Sequence, residues 1–223
     1  MKHITILIPT RNRMEKLEKT LASIPDLDYI DIIIICDNDY DTYGYIRSLK
    51  NQKIFAVMAL ASHQNFIGSV ACKNLYTPDV VDGLLYGTDD IIFKENAIQN
   101  AFIRFNESFP DNDGVVGFIQ EGNSFHPTGV GLVGQKFLQR YPDKKLFFPG
   151  YFHFACQEIY DLCNKIGGKF IQAKDAVVLH KHPCNYKEEM DQTHQDARIK
   201  KREDHAMIAK RKAEGLIWGH NDD

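Results

Sequence analysis

The stretch Ile30-Asp31-Ile32-Ile33-Ile34-Ile35-Cys36-Asp37-Asn38-Asp39-Tyr40-Asp41 decides how the rest of the chain is read. Positions 30–36 are apolar except for Asp31, rich in isoleucine and too few for a helix, which predicts a strand. Apolar side chains at successive positions mean that both faces of this strand are covered. That pattern belongs to a mostly parallel sheet flanked by helices on both sides. A run of carboxylates and one Asn follows immediately.

The neighbouring segments keep the same alternation. Residues 4–8 predict a first strand. Asn12, with Glu15 three residues later, reads as a capping box, and Met14, Leu17, Leu21 and Ile24 recur at helical spacing. Thr42 is placed to cap a short helix reaching Leu49. Further strands are expected at 54–60, 83–86 and 115–119. Helices are expected at 69–76 and 95–105, the second with Ile98, Phe102 and Phe105 on one stripe. Residues 121–153, rich in Gly and Pro, read as loop. A helix over 155–166 stops at Gly167-Gly168, and two short strands follow at 169–173 and 176–179. From 187 to 214 the chain is charged and helix-favouring.

A chain of 223 residues, 43% hydrophobic and 26% charged, suits one α/β domain, or one domain with an appendage. Lys and Arg total 27 against 30 Asp and Glu, a net charge of −3 that excludes a generic polyanion binder but allows a local basic face. The tail clusters Lys200-Lys201-Arg202 and Lys210-Arg211-Lys212 fit such a face. They equally fit a solvated helix packing through Ile199, Met207, Ile208, Leu216 and Trp218. Apolar runs such as 32–36 fall far short of the roughly 20 residues a membrane span needs. The N-terminus lacks the apolar core of a signal peptide. Five scattered cysteines without a CxxC pair fit reduced thiols. These features together predict a cytoplasmic protein.

Ligands of parallel α/β sheets bind beyond the carboxyl ends of the strands. Here those ends carry Pro9-Thr10-Arg11-Asn12-Arg13, Asp37 to Asp41, Ser62-His63-Gln64-Asn65 and Gly87-Thr88-Asp89-Asp90. Neither GxGxxG nor GxxxxGK[ST] is present, which argues against dinucleotide and P-loop cradles. Carboxylates crowded at two strand ends must stay hydrated or meet a cation, and hard divalent ions take oxygen ligands. Asp and Asn also favour turns. Arg11, Arg13 and Lys73 add positive charge of the kind that matches phosphate oxygens. His180 and His182, two apart, share one face of a strand, and imidazole suits Mn²⁺ better than Mg²⁺.

In order and spacing these pieces resemble the family 2 glycosyltransferases of the GT-A fold over residues 4–182. The resemblance implies a GT-A-like nucleotide-diphospho-sugar transferase fold, a mostly parallel central sheet flanked by helices. A catalytic domain would cover 1–184, with a charged helical extension over 185–223 packed on it. The segment from Ile6 through Pro9, Thr10, Arg11 and Arg13 resembles the first strand and nucleotide-binding loop, and Asp37 the acidic residue that contacts the base. Asn65 and Gly68, then Lys73-Asn74, resemble the Asn-Gly stretch that runs into a helix. Gly87-Thr88-Asp89 stands where the family carries its Asp-x-Asp metal motif; the resemblance leaves Asp89 as the ligand, with Asp90 as the substitute ligand and a donor contact. His180 resembles the late histidine that reaches the metal. Glu158, in the pair Gln157-Glu158, resembles the catalytic base.

The resemblance thus implies an inverting sugar transfer from a UDP- or GDP-sugar to an acceptor hydroxyl on a glycan, a protein or a modified DNA base. A divalent cation, Mn²⁺ or Mg²⁺, would assist. A nucleotidyltransferase is the rival enzyme, although it needs a glycine-rich basic loop that 9–13 lacks. A non-catalytic nucleotide-sugar-binding protein on the same fold is the rival of another class.

Overall fold

The computed structural model describes residues 1–60, 66–80, 82–121, 126–180 and 190–220. Its strands are β1 (Ile4–Thr10), β2 (Ile30–Asp37), β3 (Ile54–Ala59), β4 (Gly83–Tyr86), β5 (Ile91–Phe93), β6 (Val115–Glu121), β7 (Gly131–Gly134) and β8 (Phe170–His180). The helices are α1 (Met14–Ala22), α2 (Tyr40–Ser48), α3 (Ser69–Tyr76), α4 (Ala97–Ser108), α5 (Gln135–Leu138), α6 (Cys156–Ile166) and α7 (Gln192–Ala213). All eight strands form one mostly parallel sheet in the order β3-β2-β1-β4-β7-β6-β8-β5. β1 runs parallel to β2 and β4, β2 to β3, and β6 to β8, while β7 and β5 run antiparallel to their neighbours.

The reading of 30–36 rested on burial of both strand faces, and two separate cores provide it. Ile4, Ile6 and Ile8 of β1 and Ile30, Ile32, Ile34 and Cys36 of β2 face one core, with Leu17 of α1, Ile46 of α2 and Ala101 and Phe105 of α4. Leu7 and Ile35, on the opposite face, meet Val70 and Cys72 of α3 and Ile159, Leu162 and Cys163 of α6. Alternate residues of one strand thus serve opposite cores, as the pleat requires.

Several elements depart from the sequence pattern. β5 and β7 are short strands that it did not suggest, and β7 lies within the stretch read as loop. The two strands expected at 169–173 and 176–179 are one strand, β8. Ala173 pairs with Phe118 and Val177 with Ile119, so residues 174–176 bulge outward between them. α1 is capped at Arg13 without a side-chain bond, because Asn12 takes a left-handed φ of 53° and its N–H donates to Asp39. α2 is capped by Asp39 rather than Thr42, whose N–H donates to the Asp39 carboxylate at 3.1 Å.

α7 is held along its length by different forces. Its second half meets the core through Met207 and Ile208, and Trp218 beyond it is buried. Ile199, expected to pack, is 68% exposed. Among the described residues no helix is long and apolar enough to cross a membrane.

Candidate functional site

A cleft opens where β1, β2, β4 and β8 end. Pro9, Thr10, Arg11, Arg13, Asp37, Gly68, Asp89, Asp90 and His180 all line it, together with Phe66, Ser69, Phe152, His153 and residues of the first turns of α7. Most of the donor and metal residues expected from the sequence are therefore brought together. Asn65 and His182 lie outside the described residues.

Asp37 ends β2 and is 5% exposed. Its two oxygens accept from the backbone N–H groups of Ile67 at 2.8 Å and Gly68 at 2.9 Å. Burial raises its pKa, and these two bonds oppose the rise. The carboxylate thereby fixes the entrance to α3, where Gly68 has a φ of 91° and a Cβ would lie 2.7 Å from the Phe152 ring. Arg11 lies with its guanidinium carbon 4.1 Å from the centre of the Phe66 ring.

The two neighbouring carboxylates after β4 do different work. Asp89 accepts from Thr10 Oγ1 at 2.8 Å and from Arg13 Nη1 at 2.9 Å, so it anchors the β1 loop. Burial raises its pKa, and the Arg13 charge opposes this. Asp90 accepts from Thr88 Oγ1 at 2.7 Å, and its oxygens lie 3.4 Å from His180 Nε2 and 3.5 Å from His194 Nε2. Burial works to raise its pKa, but hydrogen bonding to His180 and His194 holds it well below the usual carboxylate range. Of the two carboxylates that the resemblance offers as partners of His180, Asp90 is the one beside it, and Asp89 is turned onto Thr10 and Arg13. At the first position of the motif, a Cβ on Gly87 would lie 2.8 Å from Ile91 Cδ1.

Two ligands of an octahedral ion at about 2.1 Å each stand roughly 3 Å apart. The Asp90–His180 separation is close to that. Among the described residues no group of three or more His, Cys, Asp or Glu side chains is arranged to hold a metal ion. Asp90 and His180 would offer two groups to such an ion, with its other positions left to substrate phosphates and water; the imidazole suits Mn²⁺ better than Mg²⁺.

Two expected residues do not reach the cleft. Lys73 does not line it: its ammonium lies buried 5.2 Å from the Phe147 ring centre and 5.8 Å from that of Tyr86, and burial lowers its pKa. Glu158 of α6 is 7% exposed and does not line the cleft. It accepts from Arg211 Nε at 2.8 Å, Arg211 Nη2 at 3.1 Å, the Trp218 N–H at 2.6 Å and the Tyr151 hydroxyl. Four donors leave no oxygen face open to an acceptor hydroxyl. Asp161, the next carboxylate along that helix, lies near the same end of α7 as Glu158, away from the cleft.

The structure adds residues that no spacing pattern marked. His194 of α7 is 6% exposed, and its Nδ1 lies 2.9 Å from Asp191. Although burial disfavours its charge, Asp191 and Asp90 raise its pKa. His153 Nδ1 is 3.2 Å from Ser69 Oγ, and burial, with the Lys73 charge, lowers its pKa to about 4. Each is a solitary histidine in the sequence. Only the seating of α7, and of the turn before α6, brings them to the strand ends.

No family model and no curated protein matches the chain. Solved structures do. A mannosyltransferase from Pyrobaculum calidifontis, PcManGT, in complex with GDP-Man and Mn²⁺, superposes with a TM-score of 0.61 at 14% identity, over 80% of this chain and 56% of its own. S. aureus TarS 1–349 in complex with UDP-GlcNAc gives 0.65 at 13%, over 86% of this chain and 60% of that one. GalNAc-T7 with UDP, GalNAc and Mn²⁺ gives 0.62 at 11%, over 81% and 44%. The chain thus spans about half the length of these proteins. At such identities the likeness is one of fold, and the fold is that of the GT-A glycosyltransferases.

Proposed function

We propose that the chain transfers a sugar from a nucleotide-diphosphate donor, a UDP- or GDP-sugar, to an acceptor hydroxyl. The observation that carries this reading is the convergence of Arg11, Arg13, Asp37, Asp90 and His180 at the strand ends of a GT-A fold. The complexes of PcManGT with GDP-Man and Mn²⁺ and of TarS with UDP-GlcNAc support the donor class.

In this reading Arg11 and Arg13 bind the diphosphate, since guanidinium forks match phosphate oxygens. Asp37 shapes the base end of the cleft by fixing Ile67 and Gly68. Asp89 keeps Arg13 charged and aimed: burial acts against that charge, but the neighbouring carboxylates raise the Arg13 pKa further. Asp90 and His180 would hold a divalent cation, which when bound offsets the charge gained by the leaving diphosphate. In this reading Glu158, engaged by Arg211, Trp218 and Tyr151, does not take the acceptor's proton.

The test is calorimetry of the full chain with UDP and GDP, with and without Mn²⁺, followed by release of free nucleotide from a panel of UDP- and GDP-sugars. Saturable nucleotide binding strengthened by Mn²⁺, with turnover of one sugar nucleotide, is the expected result. Binding without turnover under any acceptor condition would favour the non-catalytic reading. No binding would reject the donor site.

A further inference from the structure

The first turns of α7 place two carboxylates on the two arginines of the β1 loop. Asp191 accepts from Arg13 Nε and Nη2, both at 2.9 Å, and from Lys16 Nζ at 3.1 Å. Asp196 accepts from Arg11 Nη2. Thr193 completes the seat: its Oγ1 donates to the Arg11 carbonyl at 3.0 Å and accepts from Arg11 Nε at 3.3 Å. The groups on these cations are therefore acidic and come from one short segment; Asp196 lines the cleft that holds Asp90 and His180, and Asp191 reaches it through Arg13, which also lines it.

Resting on the donor reading above, we propose that Asp191 and Asp196 occupy the positions of the donor's diphosphate. In this proposal they set donor affinity by competing for Arg13 and Arg11. Donor binding exchanges each carboxylate for a phosphate oxygen and lifts the first turns of α7 from the cleft.

The way α7 is anchored supports an exchange rather than a permanent wall. Its far end is fixed by buried contacts. Asp204 accepts from the N–H groups of Phe152, His153 and Phe154 at 2.8, 2.8 and 2.9 Å. Arg211 is buried against Glu158, and Met207 and Ile208 pack on the core. The first two turns contribute nothing to either apolar core among the described residues, and they meet the β1 loop through polar and charged contacts. Charged contacts are exchanged for those of a stronger anion, whereas lost apolar burial would have to be replaced; the exchange also gives up the buried His194–Asp90 contact. The arginines also keep independent supports when α7 leaves. Arg13 retains Asp89 at 2.9 Å, and Arg11 retains the Phe66 ring. A diphosphate carries more charge than one carboxylate and offers several oxygens to each fork, so the exchange favours the donor.

The test titrates inorganic pyrophosphate, UDP and GDP, in the presence of Mn²⁺, into the wild-type chain and into Asp196→Asn, Asp191→Asn and the double variant. Asn retains the N-cap that Asp191 provides to α7. Thermal unfolding without ligand checks that each variant is folded, and Asp196→Asn alone carries the test if Asp191→Asn is not. Each single variant is expected to bind all three ligands about three- to tenfold more tightly, as expected for removal of one competing ion pair. In the wild type, amide hydrogen exchange over 195–200 is expected to accelerate on adding pyrophosphate. Unchanged or weaker affinity in folded variants, or slower exchange over 195–200, overturns the proposal while the donor reading stands. Absence of nucleotide binding by wild type and variants alike rejects the donor reading, and this proposal with it.

Discussion

Arg211 closes off Glu158, reaching its two oxygens from Nε at 2.8 Å and from Nη2 at 3.1 Å, with both side chains less than one-tenth exposed. The pair joins α6 to the end of α7, and the Trp218 N–H and Tyr151 hydroxyl fill the remaining acceptor positions. Removing one member of a buried pair leaves the other charge without compensation. Glu158→Gln is therefore expected to lower unfolding stability by about 3 kcal/mol. It should leave nucleotide affinity within about twofold, because distant sites add independently. Denaturant titration and calorimetry read the two effects. Full stability with lost sugar transfer would return the residue to the chemistry.

Asp89 and Asp90 are adjacent but separable. Asp90→Asn removes the anionic partner of His180 and is expected to abolish the strengthening of nucleotide binding by Mn²⁺. Asp89→Asn is expected to keep that Mn²⁺ effect while costing about 1–3 kcal/mol of stability, because Thr10 and Arg13 lose a charged partner. Calorimetry with and without Mn²⁺ on both variants decides. A larger loss of the metal effect in Asp89→Asn would restore Asp89 as the ligand that the resemblance implies.

These two residues show what the sequence carries and what it does not. The strands β1 and β2 are legible because burial on both faces writes apolar residues at successive positions, and Gly167-Gly168 marks the end of α6. β5 has only three residues, and β7 is hidden because it begins and ends on Gly within the Gly- and Pro-rich stretch. β8 reads as two strands because Lys174-Asp175 fall in its bulge. The cleft's residue types are legible because strand ends are where such sheets bind ligands. The orientation of each carboxylate is not. Whether Glu158 faces the cleft depends on Arg211 and Trp218, which lie 53 and 60 residues further along. His194 carries no spacing signal because its partner Asp90 lies beyond the end of β4, reached only when α7 is seated.

Gly68 offers a test of the link between Asp37 and the cleft. Its φ of 91° strains any L side chain, and a Cβ would come within 2.8 Å of both the Phe152 ring and the Phe152 carbonyl oxygen. Gly68→Ala must therefore shift the turn whose N–H groups the Asp37 carboxylate holds. A stability loss of about 1–3 kcal/mol is expected from the backbone conformation and the overpacking. Nucleotide binding should weaken at least tenfold. A variant that binds UDP or GDP as the wild type does would separate the 67–68 turn from the donor site.

Asp113 provides a prediction on pH away from the cleft. It is 3% exposed at the start of β6 and accepts from Arg140 Nη2 at 2.8 Å, with Lys169 Nζ at 2.7 Å from the same oxygen. Burial acts to raise its pKa, but hydrogen bonds from Arg140 and Lys169 prevail and lower it. A carboxylate whose folded pKa is depressed binds fewer protons in the native than in the unfolded state. Its stabilisation is fully present above the unfolded value of about 4 and is lost as pH falls through the folded value. Asp113→Asn mimics the protonated side chain. It should cost about 1–2 kcal/mol at pH 7, where the charged pairings exist. The gap between wild type and variant should then narrow steadily as pH falls below about 4. Urea unfolding at a series of pH values measures that gap directly. The subtraction cancels the contributions of the other carboxylates, which both proteins share. A gap that stays constant on acidification would mean that the cost of the substitution lies in packing at the β6 end, and that the Arg140 and Lys169 pairings contribute nothing to stability.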